Sequence, residues 1–421
     1  MHHFDYRDGQ LHCEGVDLQA VAEAVGTPFY AYSSATLCRH ANVIADAFVG
    51  MDCLIAFSVK ANGNLAVLKT LASQGCGADV VSGGELERAL RAGIPADRIV
   101  FSGVGKTRDE MALALNVGIH QFNVESAAEL SALSAVGQDL NMVAPVALRV
   151  NPDVAAGGHP NISTGKSGDK FGVPWSEAAG LYETMRSMPG VEAVGVDVHI
   201  GSQIDALEPM KLAFEKVVGM VRDLQAQGHR LSRIDLGGGL GIPYKDEDAP
   251  ASPKAYADMI RSVTDGLGLQ VILEPGRVIA GNAGILVSEV LYEKPAPDRT
   301  FLIVDAGMND LMRPALYQAH HDIMPLQQAP GNTPRLTYDV VGPICESTDK
   351  FSTKAVLPQL GSGQKIAIMS AGAYGAVLAN QYNARPLVPE VLIKDDQFDV
   401  IRRRPSFDEM VMLENMPDWL D

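Results

Sequence analysis

Short apolar runs rich in β-branched residues recur along the chain after residue 50, and they commonly end in Gly, Asn or Asp. Apolar residues recur at helical spacing between them, for example in 64–75, 84–93, 126–136 and 213–227. Strands alternating with helices predict an α/β fold, and a count of eight favours a (β/α)8 TIM-type barrel. A doubly wound sheet is the alternative, because it requires no particular strand number. The eight predicted strands are 53–59, 78–81, 98–103, 119–124, 145–151, 194–200, 233–239 and 270–276.

The pattern changes after about residue 283, where strand-like runs follow one another more closely. The runs at 284–294, 299–307, 336–343 and 365–372 predict a mostly antiparallel β-sandwich or barrel-like C-terminal domain. The first 35 residues are also rich in strand-like sequence, and chain termini often lie close together. We therefore predict a barrel domain at 36–283 and a β domain formed by 1–35 with 284–421. Two segments, 153–170 and 244–253, are predicted to be irregular loops.

The balance of charge argues against two classes of partner. The 421 residues include 51 acidic and 34 basic ones, which gives a formal net charge of −17. This predicts no nucleic acid and no anionic membrane as partner, because both need basic residues. The longest apolar stretch, 366–379, is too short to span a bilayer and is interrupted by glycines. Five cysteines without a CxxC pair, and a polar N-terminus without a signal peptide, predict a cytoplasmic protein.

Reactive side chains lie at the ends of several predicted strands, and a barrel collects such residues on one rim. Lys60 ends the first strand, Asp79 lies in the second, and His199 ends the sixth. A lysine in a partly buried site can form a Schiff base with an aldehyde. Taken alone, Lys60 could equally extend into water, and a lone histidine after an apolar strand more often belongs to the core.

Two glycine-containing motifs follow the last two strands of the predicted barrel. The glycines of DLGGGLG (235–241) allow backbone N–H groups to approach phosphate oxygens, although an isolated glycine run is more often a tight turn. Glu274 could keep a pyridine nitrogen protonated, and Arg277 can bind a phosphate or carboxylate with two parallel hydrogen bonds. Together with Lys60 and a stacking His199, this set indicates pyridoxal 5'-phosphate (PLP) as the cofactor. No metal site is predicted.

The motifs together resemble one enzyme family over nearly the whole chain. The sequence is similar to the diaminopimelate decarboxylases, within the alanine-racemase-like, fold-type III group of PLP-dependent decarboxylases. The resemblance implies decarboxylation of meso-2,6-diaminopimelate to L-lysine and CO2, the last step of lysine biosynthesis. One departure is Phe57-Ser58, where the family most commonly has Tyr-Ala. The motifs are AFSVKAN (56–62), GADVVSGGEL (77–86), KFGV (170–173), HIGSQI (199–204), DLGGGLG (235–241), EPGR (274–277), MRPALY (312–317), GPICESTD (342–349) and AGAYG (371–375).

The resemblance also implies roles for individual residues. Lys60 would form the Schiff base, His199 would stack on the ring, and Glu274 would pair with the pyridine nitrogen. Cys345 would donate a proton, and it would come with Glu346 from the second subunit of a homodimer with shared active sites. The implied cofactor-binding residues are Lys60, Asp79, His199, Ser202, Gly238, Gly239, Glu274, Gly276, Arg277 and Tyr374. The implied substrate-binding residues are Arg277, Arg313, Tyr317, Glu346 and Tyr374.

Ordinary explanations exist for the late residues of this set. Arg313 could be a surface salt-bridge residue, Cys345 a small buried hydrophobe and Glu346 a solvated charge. Tyr374 lies in a turn rich in Gly and Ala, where it could serve packing alone. If 312–317 is helical, Arg313 and Tyr317 share one face.

Other functions fit the same predicted fold. An ornithine- or arginine-type decarboxylase acts on substrates without a distal carboxylate, so Arg313 would have no partner there. A carboxynorspermidine decarboxylase fits the motifs less well. A non-catalytic PLP-binding regulator would be expected to have lost Lys60 or Cys345, and a simple carrier to lack the C-terminal domain. The motif CES (345–347) and Arg313 favour an amino-acid substrate with two carboxylates.

Overall fold

The structure is a computed structural model that describes residues 2–154, 170–245 and 247–420. The chain forms two compact units. One unit comprises Met1–Thr36 with Gly281–Asp421, and the other comprises Leu37–Ala280. The first unit is therefore built from both ends of the chain.

The N-terminal part of the first unit begins with a three-stranded antiparallel sheet, β1 (Phe4–Arg7), β2 (Gln10–Cys13) and β3 (Val16–Asp17). Helix α1 (Leu18–Val25) starts directly after this sheet, because the Asp17 side chain accepts a hydrogen bond from the backbone N–H of Gln19. Strand β4 (Phe29–Ser33) and helix α2 (Ser34–Ala47) follow.

The second unit is a closed parallel barrel. Strand β5 pairs with β6 on one side and with β13 on the other, and β8 pairs with β9, so the ring has eight strands. The two-residue β10 pairs with β9 outside the ring. The strands are β5 (Cys53–Ser58), β6 (Gly77–Val80), β7 (Ile99–Phe101), β8 (Gln121–Val124), β9 (Ala144–Asn151), β10 (Val173–Pro174), β11 (Val191–Asp197), β12 (Arg233–Asp235) and β13 (Gln270–Leu273).

Helices connect the barrel strands, and polar side chains determine where several of them begin. Asn64, Ser82 and Ser126 each accept a hydrogen bond from a first-turn N–H, and Thr107 forms a capping box with Glu110. The helices are α3 (Leu65–Ser73), α4 (Gly83–Arg91), α5 (Arg108–Val117), α6 (Ala127–Leu140), α7 (Trp175–Met185), α8 (Glu208–Ala226), α9 (Pro253–Thr264) and α10 (Arg277–Ala280).

The predicted (β/α)8 barrel is confirmed, and the doubly wound sheet is wrong because the strands close into a ring. All eight predicted strands are present, and the four helices named from the sequence are α3, α4, α6 and α8. The strand predicted at 233–239 ends earlier, at Asp235. The glycines after it leave the strand conformation, with φ of +62° at Gly237 and +111° at Gly239.

The rest of the first unit is mostly antiparallel sheet, as predicted. Strand β14 is its centre and pairs antiparallel with β4, β15 and β19, whereas β15–β17 and β4–β20 are parallel pairs. The elements are β14 (Gly284–Ala296), β15 (Arg299–Val304), α11 (Arg313–Tyr317), β16 (Ile323–Pro325), β17 (Arg335–Val341), β18 (Lys350–Pro358), β19 (Lys365–Ile368), β20 (Glu390–Lys394), β21 (Gln397–Arg402) and α12 (Phe407–Val411).

A hydrophobic core holds the first unit together and joins residues from both ends of the chain. Leu11, Leu18 and Phe29 from the N-terminal part pack with Ile285 of β14 and Val391 of β20. Each of these five side chains is at most 1% exposed. Burial of such side chains from water is what makes both ends of the chain fold as one unit.

Two remaining predictions concern loops and membranes. The loop predicted at 153–170 lies almost wholly outside the described residues, whereas the described part of 244–253 has no helix or strand before α9 begins at Pro253. Within the described ranges, none of the helices has the length and apolar composition that crossing a bilayer requires.

Candidate active site

Lys60 lies in a single 3-10 turn, Val59–Ala61, directly after β5 at the carboxyl-terminal rim of the barrel. Its Nζ donates a hydrogen bond of 2.8 Å to Oδ2 of Asp79, which is completely buried on β6. The Lys60 side chain is 35% exposed, so a ligand can approach it. Ser58, the departure from the common family motif, donates to the same Asp79 oxygen at 2.9 Å. Lys60 is thus held at the rim by a buried carboxylate.

Glu274 follows β13 and is buried, with 4% of its surface exposed. Its Oε1 accepts hydrogen bonds from Ser102 Oγ at 3.1 Å and from Asn123 Nδ2 at 3.2 Å. Burial raises the pKa of Glu274 well above its usual value, and the nearby Asp79 carboxylate raises it further. A cation placed beside this carboxyl group would offset both effects.

Polar side chains inside the barrel surround Glu274, and none of the sequence motifs indicated them. Asn123 Nδ2 also donates to Asp235 Oδ2 at 3.1 Å, and Gln121 Nε2 donates to that oxygen at 3.3 Å. A signal for them was available, because Gln121 and Asn123 alternate along β8 and therefore point to one side of the strand. Polar residues at alternate positions of a short buried strand indicate an interior that is not purely hydrophobic.

His199 and the glycine turn meet at the rim. His199 Nδ1 accepts a hydrogen bond of 3.2 Å from the backbone N–H of Gly238. Burial lowers the pKa of His199 well below its ordinary value, and the positive charges of Arg149 and Lys60 lower it further. The imidazole is therefore neutral near pH 7, and its flat ring can contact another ring without adding charge.

None of the four glycines in the run at 235–241 has space for a Cβ. A Cβ at Gly238 would lie 2.2 Å from the backbone oxygen of Glu274, and one at Gly239 would lie 2.5 Å from that of Gly201. Gly239 also has a φ of +111°, which residues with a side chain rarely adopt. These close approaches show that the run forms a tight turn, in which backbone atoms line the rim of the barrel.

Arg277 begins α10 immediately after Gly276 and is buried. Its Nη2 and Nε donate to Ser202 Oγ at 2.9 and 3.3 Å, and its Nη1 donates to Tyr244 Oη at 2.7 Å. The structure therefore brings together Ser202 and Arg277, which were predicted from separate motifs. Tyr244 is an additional contact, and it lies in a segment that the sequence predicted only as a loop.

A second ion pair lies inside the barrel, near Glu274. Arg149 of β9 donates to Glu125 at 3.1 Å, and both side chains are buried. Glu125 also accepts hydrogen bonds from the backbone N–H groups of Gly103 at 2.9 Å and Gly172 at 3.1 Å. Arg149 thus contributes a fixed positive charge to the barrel interior, and no motif pointed to it.

The remaining predicted residues belong to the first unit. Arg313 and Tyr317 are the first and last residues of α11, so the helical case considered for 312–317 applies. Arg313 is 5% exposed and its Nη1 lies 2.9 Å from His321 Nε2, so it is not a surface salt-bridge residue. Tyr374 has a φ of +57° in its turn.

Cys345 and Glu346 lie in the loop between β17 and β18. Cys345 is exposed, and its backbone N–H donates to Asn383 Oδ1 at 3.1 Å, so it is not a buried hydrophobe. Glu346 accepts hydrogen bonds of 3.0 Å from Tyr382 Oη and from Thr348 Oγ1. The catalytic and binding roles of these two residues stay predictions.

The barrel residues fit a phosphorylated pyridine aldehyde. Lys60 supplies the amine, Glu274 a buried carboxyl group, and Gly238 a turn that a Cβ would fill. The Oδ1 atom of Asp79 is buried and has no hydrogen-bond partner among the described residues, so a polar or cationic ligand atom has an acceptor there. Excess buried negative charge next to Lys60 suits a cationic ring.

Comparison with known proteins gives full-length matches. Residues 34–281 match the family model described as the pyridoxal binding domain of pyridoxal-dependent decarboxylases. A diaminopimelate decarboxylase from Pseudomonas fluorescens is 48% identical over 98% of this chain and 99% of its own length. The crystal structure of diaminopimelate decarboxylase from Helicobacter pylori complexed with L-lysine has a TM-score of 0.91 at 42% identity, covering 94% of this chain and 99% of that one. The diaminopimelate decarboxylase from M. jannaschii in co-complex with L-lysine has a TM-score of 0.94 at 35% identity, covering 99% of both chains.

Proposed function

Because the chain belongs to the family of pyridoxal-dependent decarboxylases, we propose that it converts meso-2,6-diaminopimelate to L-lysine and CO2. The cofactor is pyridoxal 5'-phosphate and the enzyme class is that of the carboxy-lyases. The relatives from H. pylori and M. jannaschii were crystallised with L-lysine, the product of this reaction. The reaction would be the last step of lysine biosynthesis.

One observation carries the proposal. The amine of Lys60 donates a hydrogen bond to buried Asp79. The charges of Lys60 and Asp79 both act on the pKa of the nearby Glu274. An amine and a separate buried carboxyl group are the two groups that a pyridoxal cofactor requires, one for its aldehyde and one for its ring nitrogen. Relatives such as the diaminopimelate decarboxylase from P. fluorescens, which matches nearly the whole chain, favour this reading over the ornithine- or arginine-type alternative and the non-catalytic alternative.

The protein's contribution to the reaction is position, charge and proton supply. When bound, PLP would supply an acceptor for the electron pair that is left when CO2 departs. Asp79 Oδ2 holds Lys60 Nζ through a hydrogen bond, and Glu274 would stabilise a proton on the ring nitrogen. Neutral His199 would contact the ring. Ser202, Gly238, Gly239 and Gly276 with Arg277 would hold the phosphate, with help from Tyr374.

Substrate recognition requires groups that match two amino-acid ends. Arg277, Arg313 and Tyr317 bind carboxylate oxygens, Glu346 binds the distal ammonium group, and Tyr374 contributes a hydroxyl group. Charge-assisted hydrogen bonds of this kind are about twice as strong as neutral ones, which favours a substrate with a second carboxylate. Cys345 Sγ donates the proton that replaces CO2.

The proposal includes an assembly and a location. A homodimer in which Cys345 and Glu346 serve the partner's site would give two shared active sites. The cofactor belongs to a domain of residues 36–283, and residues 1–35 with 284–421 supply substrate and dimer contacts. The reduced cysteines support a cytoplasmic location.

The test is Lys60→Ala. The wild-type protein loaded with PLP shows the visible absorbance of the covalently held cofactor, and Lys60→Ala abolishes this absorbance and CO2 release. Lys254→Ala is the matched control, because that lysine is 82% exposed in the same unit and pairs with Asp258. Visible absorbance that survives in Lys60→Ala, or a wild type that cannot be loaded, contradicts the proposal.

A further inference from the structure

Three carboxyl groups meet inside the barrel. Asp197, Asp235 and Glu274 each place one carboxyl oxygen within 4.8 Å of the others. Asp197 on β11 and Asp235 on β12 are register partners in adjacent parallel strands, so their side chains project to the same side. All three groups are buried. Three negative charges at this spacing in a dry interior repel one another strongly, so the group binds at least one proton.

The surrounding cations are already engaged with other carboxylates. Arg149 is the register partner of Asp197 on β9, and its guanidinium binds Glu125. Lys60 binds Asp79. The titratable and charged groups near the cluster are Cys53 of β5, Lys60 after it, Asp79 of β6, Glu125 after β8, Arg149 of β9, Tyr182 of α7, His199 after β11 and Tyr256 of α9.

Hydrogen-bond donors are distributed unequally over the three carboxyl groups. Asp235 accepts from the backbone N–H of Gly237 at 3.0 Å, and also from Asn123 and Gln121. Glu274 accepts from Ser102 and Asn123 as described above. Asp197 Oδ1, in contrast, is buried and has no hydrogen-bond partner in the part of the chain that the structure describes. Donors stabilise the ionised form of a carboxyl group, so Asp197 is the best place for the proton.

We infer that Asp197 is a neutral carboxylic acid in the working enzyme, and that this proton leaves Glu274 ionised for the ring nitrogen of the cofactor. The inference rests on the proposed function, in which Glu274 is the partner of that nitrogen. Asp197 is a positioning residue here, since it acts through Glu274 and the neighbouring Asp235.

The directions of the pKa shifts agree with this assignment. Burial raises the pKa of Asp197 well above its ordinary value, and the charge of Asp235 raises it further. Burial raises the pKa of Asp235 only to about 6, because Asn123 and the Gly237 N–H stabilise its anion. Asp235 is thus ionised above neutral pH while Asp197 keeps its proton. A protonated ring nitrogen beside Glu274 lowers the pKa of that group and keeps it ionised.

Infrared difference spectroscopy of the PLP-loaded enzyme near neutral pH tests the inference. A protonated carboxyl group has a C=O stretching band separate from the bands of carboxylates. The band of a protonated carboxyl group should be present in the wild type and absent in Asp197→Asn. The variant should keep the visible absorbance of bound PLP. Asp223→Asn, at an exposed position on α8, is the matched control and loses carboxylate bands alone.

Two results overturn the inference. One is that Asp197→Asn lacks a carboxylate band that the wild type shows. The other is loss of the protonated band in Glu274→Gln, which would place the proton on Glu274 and would also decide the question if Asp197→Asn did not fold. A failure of the proposed function is distinguishable, because it would appear as a wild type that does not bind PLP, whatever the carboxyl bands show.

Discussion

Glu85 lies near the start of α4, where a charged side chain is ordinarily exposed, but its environment is unusual. Its Oε2 accepts a hydrogen bond of 2.8 Å from the backbone N–H of Val81, and its backbone N–H donates to Ser82 Oγ at 3.2 Å. Burial and the Asp79 carboxylate together raise the pKa of Glu85 from 4.5 to about 7, against the opposing effect of the hydrogen bond from Val81. The contact with Ser82 is local in sequence, but the pKa depends on neighbours that a local motif does not reveal.

This pKa predicts a pH-dependent stability. The folded state holds the Glu85 proton up to about pH 7, whereas the unfolded chain releases it near 4.5. The stabilising contribution is therefore complete below pH 4.5 and is lost as pH rises through 7, by about 3 kcal/mol in total. Urea unfolding at pH 4.5 and pH 8 should show wild type losing more stability than Glu85→Gln. Equal losses in the two proteins would contradict the assignment.

Residues that act through distant partners were the hardest to predict. Lys60 and Glu274 end strands and carry recognisable motifs, so their positions at the rim followed from the strand pattern. Arg149 and Asp197 did not stand out, because each is a single charge within an apolar strand and its partner lies on another strand. Such pairings are set by register across the barrel, which a local pattern does not contain.

At the level of elements, the glycine turn after β12 shapes the rim of the barrel. The sequence predicted the turn from its composition but placed it inside a strand. Backbone geometry explains the difference, because β12 ends at Asp235 and Gly237, two residues later, has a positive φ. Strand ends that depend on such torsions are not encoded in hydrophobic pattern alone.

Gly238→Ala tests how tightly this turn is built. Its Cβ would lie 2.2 Å from the Glu274 backbone oxygen, so the turn must shift. We expect a loss of about 1–3 kcal/mol in unfolding free energy and a weaker affinity for PLP, measured by urea unfolding and by absorbance titration. Gly219→Ala is the matched control, because a Cβ there meets open space within α8 and should add up to about 1 kcal/mol of stability. Wild-type PLP affinity in Gly238→Ala would show that the turn does not shape the cofactor site.

At the level of the whole molecule, the fold was more predictable than the site. Eight strands alternating with helices led to the barrel, and the denser strands after residue 283 led to the antiparallel sheet. Parallel pairs such as β4 with β20 could not be anticipated, because their residues are more than 350 positions apart. The proposed shared site also depends on more than local sequence, since it requires a second copy of the chain.

Mixing two inactive variants tests the shared site. In a shared site, Lys60 would come from one subunit and Cys345 from the other. A dimer of one Lys60→Ala subunit and one Cys345→Ala subunit would therefore keep one intact site. If the subunits exchange at random, activity should recover to about a quarter of wild type. A mixture of Lys60→Ala with Glu274→Gln is the matched control and should stay inactive, because both residues lie in the same barrel unit. No recovery in the first mixture would argue against sites shared between subunits.

Release of CO2 from a panel of amino acids would test the proposed substrate. The PLP-loaded enzyme should release CO2 from meso-diaminopimelate with L-lysine as the second product, and release little from ornithine or arginine. We propose that the distal carboxylate is the cause of this difference, because it would give Arg313 an anionic partner that the other substrates lack. Release of CO2 from ornithine or arginine, with none from meso-diaminopimelate, would contradict the account.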